Sequence, residues 1–389
     1  MLRLSSQCSL RLLEEPAVYN RSTDELYFVN QKAFDFLAGC AGSASGENPP
    51  GPTDEDFLNF CLAEGILEQV PPLGGRDEAK RKQTRFETSN PRPSLRYLLL
   101  HITNRCNLIC KHCYGGEAGT VDMSPGKVMT IVDEFAAMQG LRLMISGGEP
   151  LLHPDFSAVC ELLEGTDVRK VLLTNGTLLS EEIAGNPAFD EVQISLDGMR
   201  DAHDLIRGPG TFERSVAGMR LLVSAGVPVS VATMIHRGNI ADFDLLEDLL
   251  REIGVREWSI DVPSPAGRLS PGSDMIVDPE IAGPLLARSF GGGVHEPSPG
   301  YACGCHLLAV MADGRVAPCA FYAAQSVGFA EEGLASCWQK IPKLKLDDLD
   351  CDCELVNDCR GGCRFRAAGY NNDGNRRSPD RYQCARYGV

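Results

Sequence analysis

Arg105-Cys-Asn-Leu-Ile-Cys-Lys-His-Cys-Tyr114 follows directly on residues 95–103, an apolar run of β type. Its three thiols, Cys106, Cys110 and Cys113, are spaced so that one loop can present them to a single group. Three thiolates can hold three irons of a cubane iron–sulfur cluster and leave the fourth iron open to an outside molecule. Zinc is the alternative at this point. It is usually closed by four ligands or by a set containing His, and His112 is the only nearby fourth donor.

Outward from this loop, the middle of the chain alternates strand and helix. After the strand at 95–103, Ser124-Pro125 reads as an N-cap and first-turn proline, opening a helix that runs to Gln139 and stops at Gly140. Further strands are expected at 141–146, 168–174, 191–195, 229–235 and 257–261, with helices near 155–163, 211–225 and 240–253. Six strands joined by helical crossovers predict a parallel sheet. In barrels of that kind, functional groups gather at the carboxyl ends of the strands.

The strand ends are where the notable residues fall. Ser146-Gly147-Gly148-Glu149-Pro150 offers paired glycines, which let backbone approach a ligand, and a carboxylate that can accept from an ammonium group. Thr174-Asn175-Gly176 and Ser195-Leu-Asp197-Gly198 end the next two strands, and Arg207 follows in His203-Asp-Leu-Ile-Arg-Gly208. Each alone is an ordinary turn. Together and in order behind the cysteine triad, they resemble the radical S-adenosylmethionine (SAM) superfamily.

The resemblance implies a partial (β/α)6 TIM-like barrel of the α/β class. It also implies a [4Fe–4S] cluster on Cys106, Cys110 and Cys113, and SAM bound to the open iron and cleaved to a 5′-deoxyadenosyl radical. SAM contacts would then come from Gly147, Gly148, Glu149, Pro150, Thr174, Asn175, Ser195, Asp197, Arg207 and Tyr114, with Glu149 on the amino group and Arg207 on the carboxylate. The family often has an aromatic residue just before the third cysteine, near adenine; here His112 holds that place and Tyr114 lies beyond. Arg268, in the strand-six end Trp258-Ser-Ile-Asp-Val-Pro-Ser-Pro-Ala-Gly-Arg268, touches ligand or caps the barrel.

Sixteen cysteines are present in the 389 residues. Nothing marks the chain for export, and a reducing compartment disfavours disulfides, so metal ligation is the better account. Beyond the triad, Cys303, Cys305, Cys319, Cys351, Cys353, Cys359, Cys363 and Cys384 fall in paired patterns near the C-terminus, enough for two four-thiolate clusters. The pattern resembles the SPASM extension of radical SAM enzymes. The resemblance assigns Cys303, Cys305, Cys319 and Cys363 to one auxiliary [4Fe–4S] cluster, and Cys351, Cys353, Cys359 and Cys384 to the other, three clusters in all. Both members of a Cys-x-Cys pair reach one cluster only where the backbone turns, which Gly304 and Asp352 permit. The alternative is a cluster that uses one member of a pair and keeps an iron open for substrate, or takes His306 or Asp352 as a replacement ligand. Cys61 and Cys160 read as small core residues; Cys8, Cys40 and Cys337 have no assigned role.

At the front, residues 10–19 and 25–30 read as a hairpin, followed by helices at 31–37 and 53–64, the second capped by Thr53. A loop at 39–52 separates the helices, and 65–70 closes the unit. This resembles the small winged-helix peptide-recognition element of radical SAM peptide maturases, which adds a leader peptide as a strand to a sheet edge. The expected domains are 1–75, a linker at 76–93, the barrel at 94–290 and the auxiliary-cluster segment at 291–389.

The net charge of −16 argues against a nucleic-acid partner, and no apolar run is long enough to span a membrane. A cytoplasmic enzyme is expected. By resemblance it is a radical SAM oxidoreductase that modifies a ribosomally made precursor peptide by oxidative cross-linking, thioether or carbon–carbon. A small electron donor such as flavodoxin or ferredoxin would supply its electrons. The alternative is a related enzyme acting on a tetrapyrrole side chain or on a sulfatase Cys or Ser. An electron carrier without catalysis would have no use for the strand-end motifs.

Overall fold

The computed structural model describes residues 2–42, 54–70, 92–186, 188–293, 295, 298–370 and 374–389. Two compact units emerge, Met1–Ser94 with Asp167–Arg169, and Leu95–Thr166 with Lys170–Val389. Nearly all of the expected linker lies outside the described residues, as do Thr53 and most of the 39–52 loop.

The first unit contains β1 (Leu2–Leu4), β2 (Cys8–Leu12), β3 (Pro16–Asn20), β4 (Glu25–Phe28), α1 (Gln31–Gly42), α2 (Glu55–Ala63) and β5 (Leu67–Gln69). β2, β3 and β4 form an antiparallel sheet, and β1 pairs antiparallel with β5. The single strand expected over 10–19 is two strands. A tight turn, with Leu13 N donating to Glu15 O, reverses the chain before Pro16, which opens β3 where its missing N–H costs least. α1 continues to Gly42, through the first residues of the expected loop. Asp54, not Thr53, caps α2, its side chain accepting from Asp56 N. Leu10, Val18, Phe34, Leu37, Cys61 and Ile66 lie in the core, joined by Cys8 and Cys40.

In the second unit, β6 (Tyr97–Thr103), β7 (Arg142–Gly147), β8 (Arg169–Thr174), β9 (Glu191–Ser195), β10 (Val229–Met234) and β11 (Glu257–Asp261) lie side by side in chain order. β6 pairs with β7, β8 with β9, β9 with β10 and β10 with β11, all in parallel. Their crossovers carry α3 (Pro125–Ala137), α4 (Phe156–Leu163), α5 (Glu181–Ala184), α6 (Arg200–Arg207), α7 (Thr211–Ser224) and α8 (Phe243–Ile253); α9 (Pro279–Leu286) follows β11. This is the expected partial barrel. Ser124 caps α3 by accepting from Lys127 N, and Pro125 occupies the first turn. The chain leaves that helix through Gln139, at a φ of 61°, and Gly140, where any Cβ would meet the Phe135 ring.

The sheet does not end with six strands. β12 (Leu307–Val310) pairs in parallel with β6, Leu307 opposite Tyr97, and β13 (Arg315–Ala317) and β14 (Gly328–Phe329) extend it to nine. The cysteine-rich segment is thus built onto the barrel's first strand. Beyond it come α10 (Leu334–Lys340), α11 (Val356–Cys359), α12 (Arg364–Tyr370) and α13 (Arg381–Arg386). α13 packs on α9, where Gly283 admits Ala385; a Cβ at Gly283 would lie 2.5 Å from the Ala385 carbonyl carbon. Cys160 and Cys337 are buried side chains of this unit. No helix among the described residues is long and apolar enough to cross a membrane.

Candidate functional site

A cavity of about 520 Å³ opens at the carboxyl ends of the barrel strands, and Cys106, Cys110 and Cys113 all line it. The loop that carries them is held from two sides. Glu149 N donates to Arg105 O at 2.7 Å, and Arg268 N donates to Cys113 O at 3.0 Å. Both approaches need glycine. A Cβ on Gly148 would fall 2.8 Å from the Arg105 carbonyl carbon, and one on Gly267, at φ 56°, 2.6 Å from Tyr114 O. Arg268 both lines the cavity and donates to Cys110 O at 3.3 Å, so bracing the loop and facing the cavity are one position.

Tyr114, Gly147, Gly148, Thr174, Asn175, Ser195 and Arg207 share this cavity. Glu149, Pro150 and Asp197 do not line it; they are buried in the wall behind. Glu149 Oε1 accepts from Thr174 Oγ1 at 2.7 Å and Oε2 from Asn175 N at 2.8 Å, which ties the end of β7 to the end of β8. Burial pushes its carboxyl up to about 6, against the pull of those donors. Leu151 N also donates to Oε1, at 3.3 Å, so three of a carboxylate's roughly four acceptor positions are taken.

Asp197 accepts from Arg207 Nε at 2.6 Å and from Met234 N at 2.8 Å. Burial opposes its charge, but the Arg207 guanidinium and neighbouring histidines hold the carboxyl well below its usual range. Arg207 therefore lines the cavity with its Nε already paired. His112 packs beside this pair, 3.5 Å from both Arg207 Nη2 and Asp197 Oδ2; burial lowers it to about 4, and its Nδ1 is buried with no hydrogen-bond partner among the described residues. Tyr114 packs at a tilt against Phe321, with ring centroids 4.8 Å apart, and its hydroxyl lies 3.3 Å from His101 Nε2.

The far wall of the cavity includes Met311, Ala312, Asp313, Arg315, Ala320 and Ala323 from the C-terminal segment, together with Asp261 from β11. The sequence pointed to none of these as cavity residues. Only the pairing of β12 with β6 brings Asp313 and Arg315 to face the cavity.

The eight cysteines expected to hold auxiliary clusters separate into two places. Cys351, Cys353, Cys359 and Cys384 line one cavity of about 620 Å³, with Asp352 beside them. The thiol of Cys303 feels those of Cys363 and Cys305, and that of Cys319 feels Cys363. Gly304, at φ 82°, supplies the turn within the Cys303 pair. His306 is committed elsewhere, its Nε2 accepting from Ser298 N at 2.9 Å. Among the described residues, no three His, Cys, Asp or Glu side chains converge as ligands of one ion would. Thiols spread around a cavity suit a group with several metal centres, so the residues present fit iron–sulfur clusters. Burial raises the thiols of Cys110 and Cys319 to about 11, a cost that binding iron as thiolate would offset.

Residues 100–250 match the radical SAM superfamily. This part of the chain is a radical SAM domain. The family implies a [4Fe–4S] cluster and SAM. Over 181 residues the chain is 33% identical to an AdoMet-dependent heme synthase of Methanosarcina barkeri, covering 44% of this chain and 52% of that one. Over 188 residues it is 33% identical to the mycofactocin maturase MftC of Mycobacterium tuberculosis, covering 46% and 47%. The chain thus spans about half the length of the curated relatives it matches. Streptococcus suis SuiB bound to precursor peptide SuiA superposes with a TM-score of 0.69 at 13% identity, over 99% of this chain and 100% of that one. Native anSMEcpe with bound AdoMet and Cp18Cys peptide gives 0.61 at 19%, over 75% and 94%. SuiB thus shares the fold over nearly the whole chain, and anSMEcpe shares it over three quarters.

Proposed function

We propose that this protein is a radical SAM peptide maturase with two auxiliary clusters, which modifies a ribosomally made precursor peptide by oxidative cross-linking. The observation that carries the reading is the cavity itself: three thiols on one loop, strand-end motifs around them, and a far wall from a segment bearing eight more paired cysteines. SuiB, whose fold matches over nearly the whole chain, was solved with its precursor peptide, and MftC is named a maturase. Both support a peptide substrate.

In this reading Cys106, Cys110 and Cys113 hold the first cluster, while Cys303, Cys305, Cys319 and Cys363 hold one auxiliary cluster and Cys351, Cys353, Cys359 and Cys384 the other. With cluster and SAM bound, the pair supplies a 5′-deoxyadenosyl radical that removes hydrogen from an unreactive carbon. The chain's own residues orient and enclose. Gly147 and Gly148 would bring backbone against SAM, Glu149 would fix the two strand ends behind them, and Arg207, its Nε held by Asp197, would turn its fork to the carboxylate. Asn175 and Ser195 face the nucleoside, and Tyr114 with Phe321 walls off water. The front unit, residues 1–75, holds the leader by strand addition, and a small flavodoxin- or ferredoxin-type donor supplies electrons.

A second reading draws on the heme synthase similarity: a tetrapyrrole side chain as substrate. Anaerobic coexpression with a small peptide encoded beside the gene separates the two. Loss of two hydrogens from the peptide, and none when Cys106→Ala replaces the parent, is the expected result. An unmodified peptide that also fails to bind the protein in calorimetry would refute the maturase reading.

A further inference from the structure

Arg366, on α12, is buried between carboxylates from distant parts of the unit. Its Nη1 donates to Asp261 Oδ1 at the end of β11, while Nε and Nη2 donate to Asp380, the latter at 2.6 Å. Asp380 is fully occupied: it accepts from Cys363 N at 2.8 Å and from Tyr382 N at 3.2 Å, capping α13. Gly362, at φ 69°, lets this carboxylate come up beside the cysteine, since a Cβ there would lie 2.5 Å from Asp380 Oδ2.

Asp261 is different. It lines the barrel cavity with its side chain 49% exposed, and Oδ1 takes both Arg366 and Val262 N. Its Oδ2 has no hydrogen-bond partner among the described residues. One guanidinium thus serves two carboxylates, and the Cys363 thiol lies within electrostatic reach of all three: Arg366 favours its thiolate, Asp261 and Asp380 oppose it.

We propose that Asp261 is a substrate-facing residue through which charge in the barrel cavity sets the reduction potential of the iron–sulfur group at Cys363, with Arg366 and Asp380 as its positioning residues. This rests on the reading of Cys363 as a cluster ligand. A substrate N–H or O–H donated to Asp261 Oδ2 draws off part of that carboxylate's charge. More of the Arg366 charge then acts on Cys363, and an iron–sulfur group there becomes easier to reduce. The auxiliary group is readied to take an electron when the cavity is filled.

The test uses the full chain with Cys106, Cys110 and Cys113 changed to Ala, so that only auxiliary signals remain, reconstituted with iron and sulfide and followed by paramagnetic resonance during reductive titration. Asp261→Asn is expected to move the potential of one signal upward, Arg366→Met to move it downward, and Arg366→Lys to return it close to the parent. Shifts of the same sign, which mere loosening would give, or no shift at all, would overturn the inference. Asp261→Asn keeps the shape and the Arg366–Asp380 pair, so it decides alone if Arg366→Met does not fold. Cys363→Ala serves as the control. If it leaves iron content and signals unchanged, the ligand reading fails and takes the inference with it; if it removes a signal that the other variants do not move, the inference alone is wrong.

Discussion

Replacing Gly148 by Ala is the sharpest single-atom test of how the cysteine loop is held. The new Cβ would stand 2.8 Å from the Arg105 carbonyl carbon, 3.0 Å from Cys106 Cβ and closer still to Arg105 O, where ordinary contact begins at 3.4 Å. The loop must therefore retreat by roughly half an ångström or more, and such overpacking costs about 1–3 kcal/mol. Relief is opposed locally, because the Glu149 N to Arg105 O hydrogen bond at 2.7 Å and the Gly148 N to Thr103 O bond at 3.0 Å pin the same backbone. Thermal unfolding of the metal-free protein should show a melting point lower by a few degrees. 5′-Deoxyadenosine formation should fall by about 10–100-fold, since displacement of about 1 Å at a reacting centre can cost 10²-fold. Gly126→Ala is the control, because a Cβ there meets nothing within 4 Å and lies in the first turn of α3. A Gly148→Ala protein with the parent's melting point and full 5′-deoxyadenosine yield would refute the reasoning.

Other expectations follow from the same geometry. Glu149, raised to about 6 from 4.5, binds its proton more tightly folded than unfolded. Its contribution to stability is therefore full below pH 4.5 and lost as pH rises through about 6, a change of roughly 2 kcal/mol. Melting curves of the metal-free protein across that window should be flatter for Glu149→Gln, and equal slopes would contradict the assignment. Iron analysis of the fully reconstituted chain should give about twelve irons, three four-iron clusters, and about eight would mean that one auxiliary site is not built. Gly362→Ala should disturb the auxiliary signal that depends on Cys363, because its Cβ would displace Asp380; an unaltered spectrum would count against the close approach described.

The barrel was legible because each strand is an apolar run that ends in a motif, and the motifs mark the carboxyl ends that the cavity uses. Ser124-Pro125 and the ends of β9 and β11 fell where the pattern put them. The front unit was harder. Residues 10–19 read as one strand although Glu14-Glu15-Pro16 interrupts the apolar residues, because the turn there carries no glycine or asparagine. The C-terminal strands were invisible for another reason: β12, β13 and β14 have four, three and two residues, too few for any period to register. Similarly, Glu149 and Asp197 looked like cavity groups, since a carboxylate at a strand end says nothing about whether it points at ligand or at the neighbouring strand. Arg366 lay only three residues from a notable cysteine, but its partners come from β11 and from the turn before α13, and no local pattern encodes that.

The pairing of β12 with β6 also has a consequence for how the chain is made. Tyr97–Thr103 is among the first parts of the sheet to leave the ribosome, and one of its edges stays unpaired until Leu307–Val310 has been synthesised. An apolar strand edge left open that long invites pairing with other chains. Closure between segments so distant in sequence is intrinsically slow. Truncation anywhere before Leu307 should therefore yield aggregates rather than a smaller soluble barrel, and slower translation through the middle of the gene should lengthen the hazard.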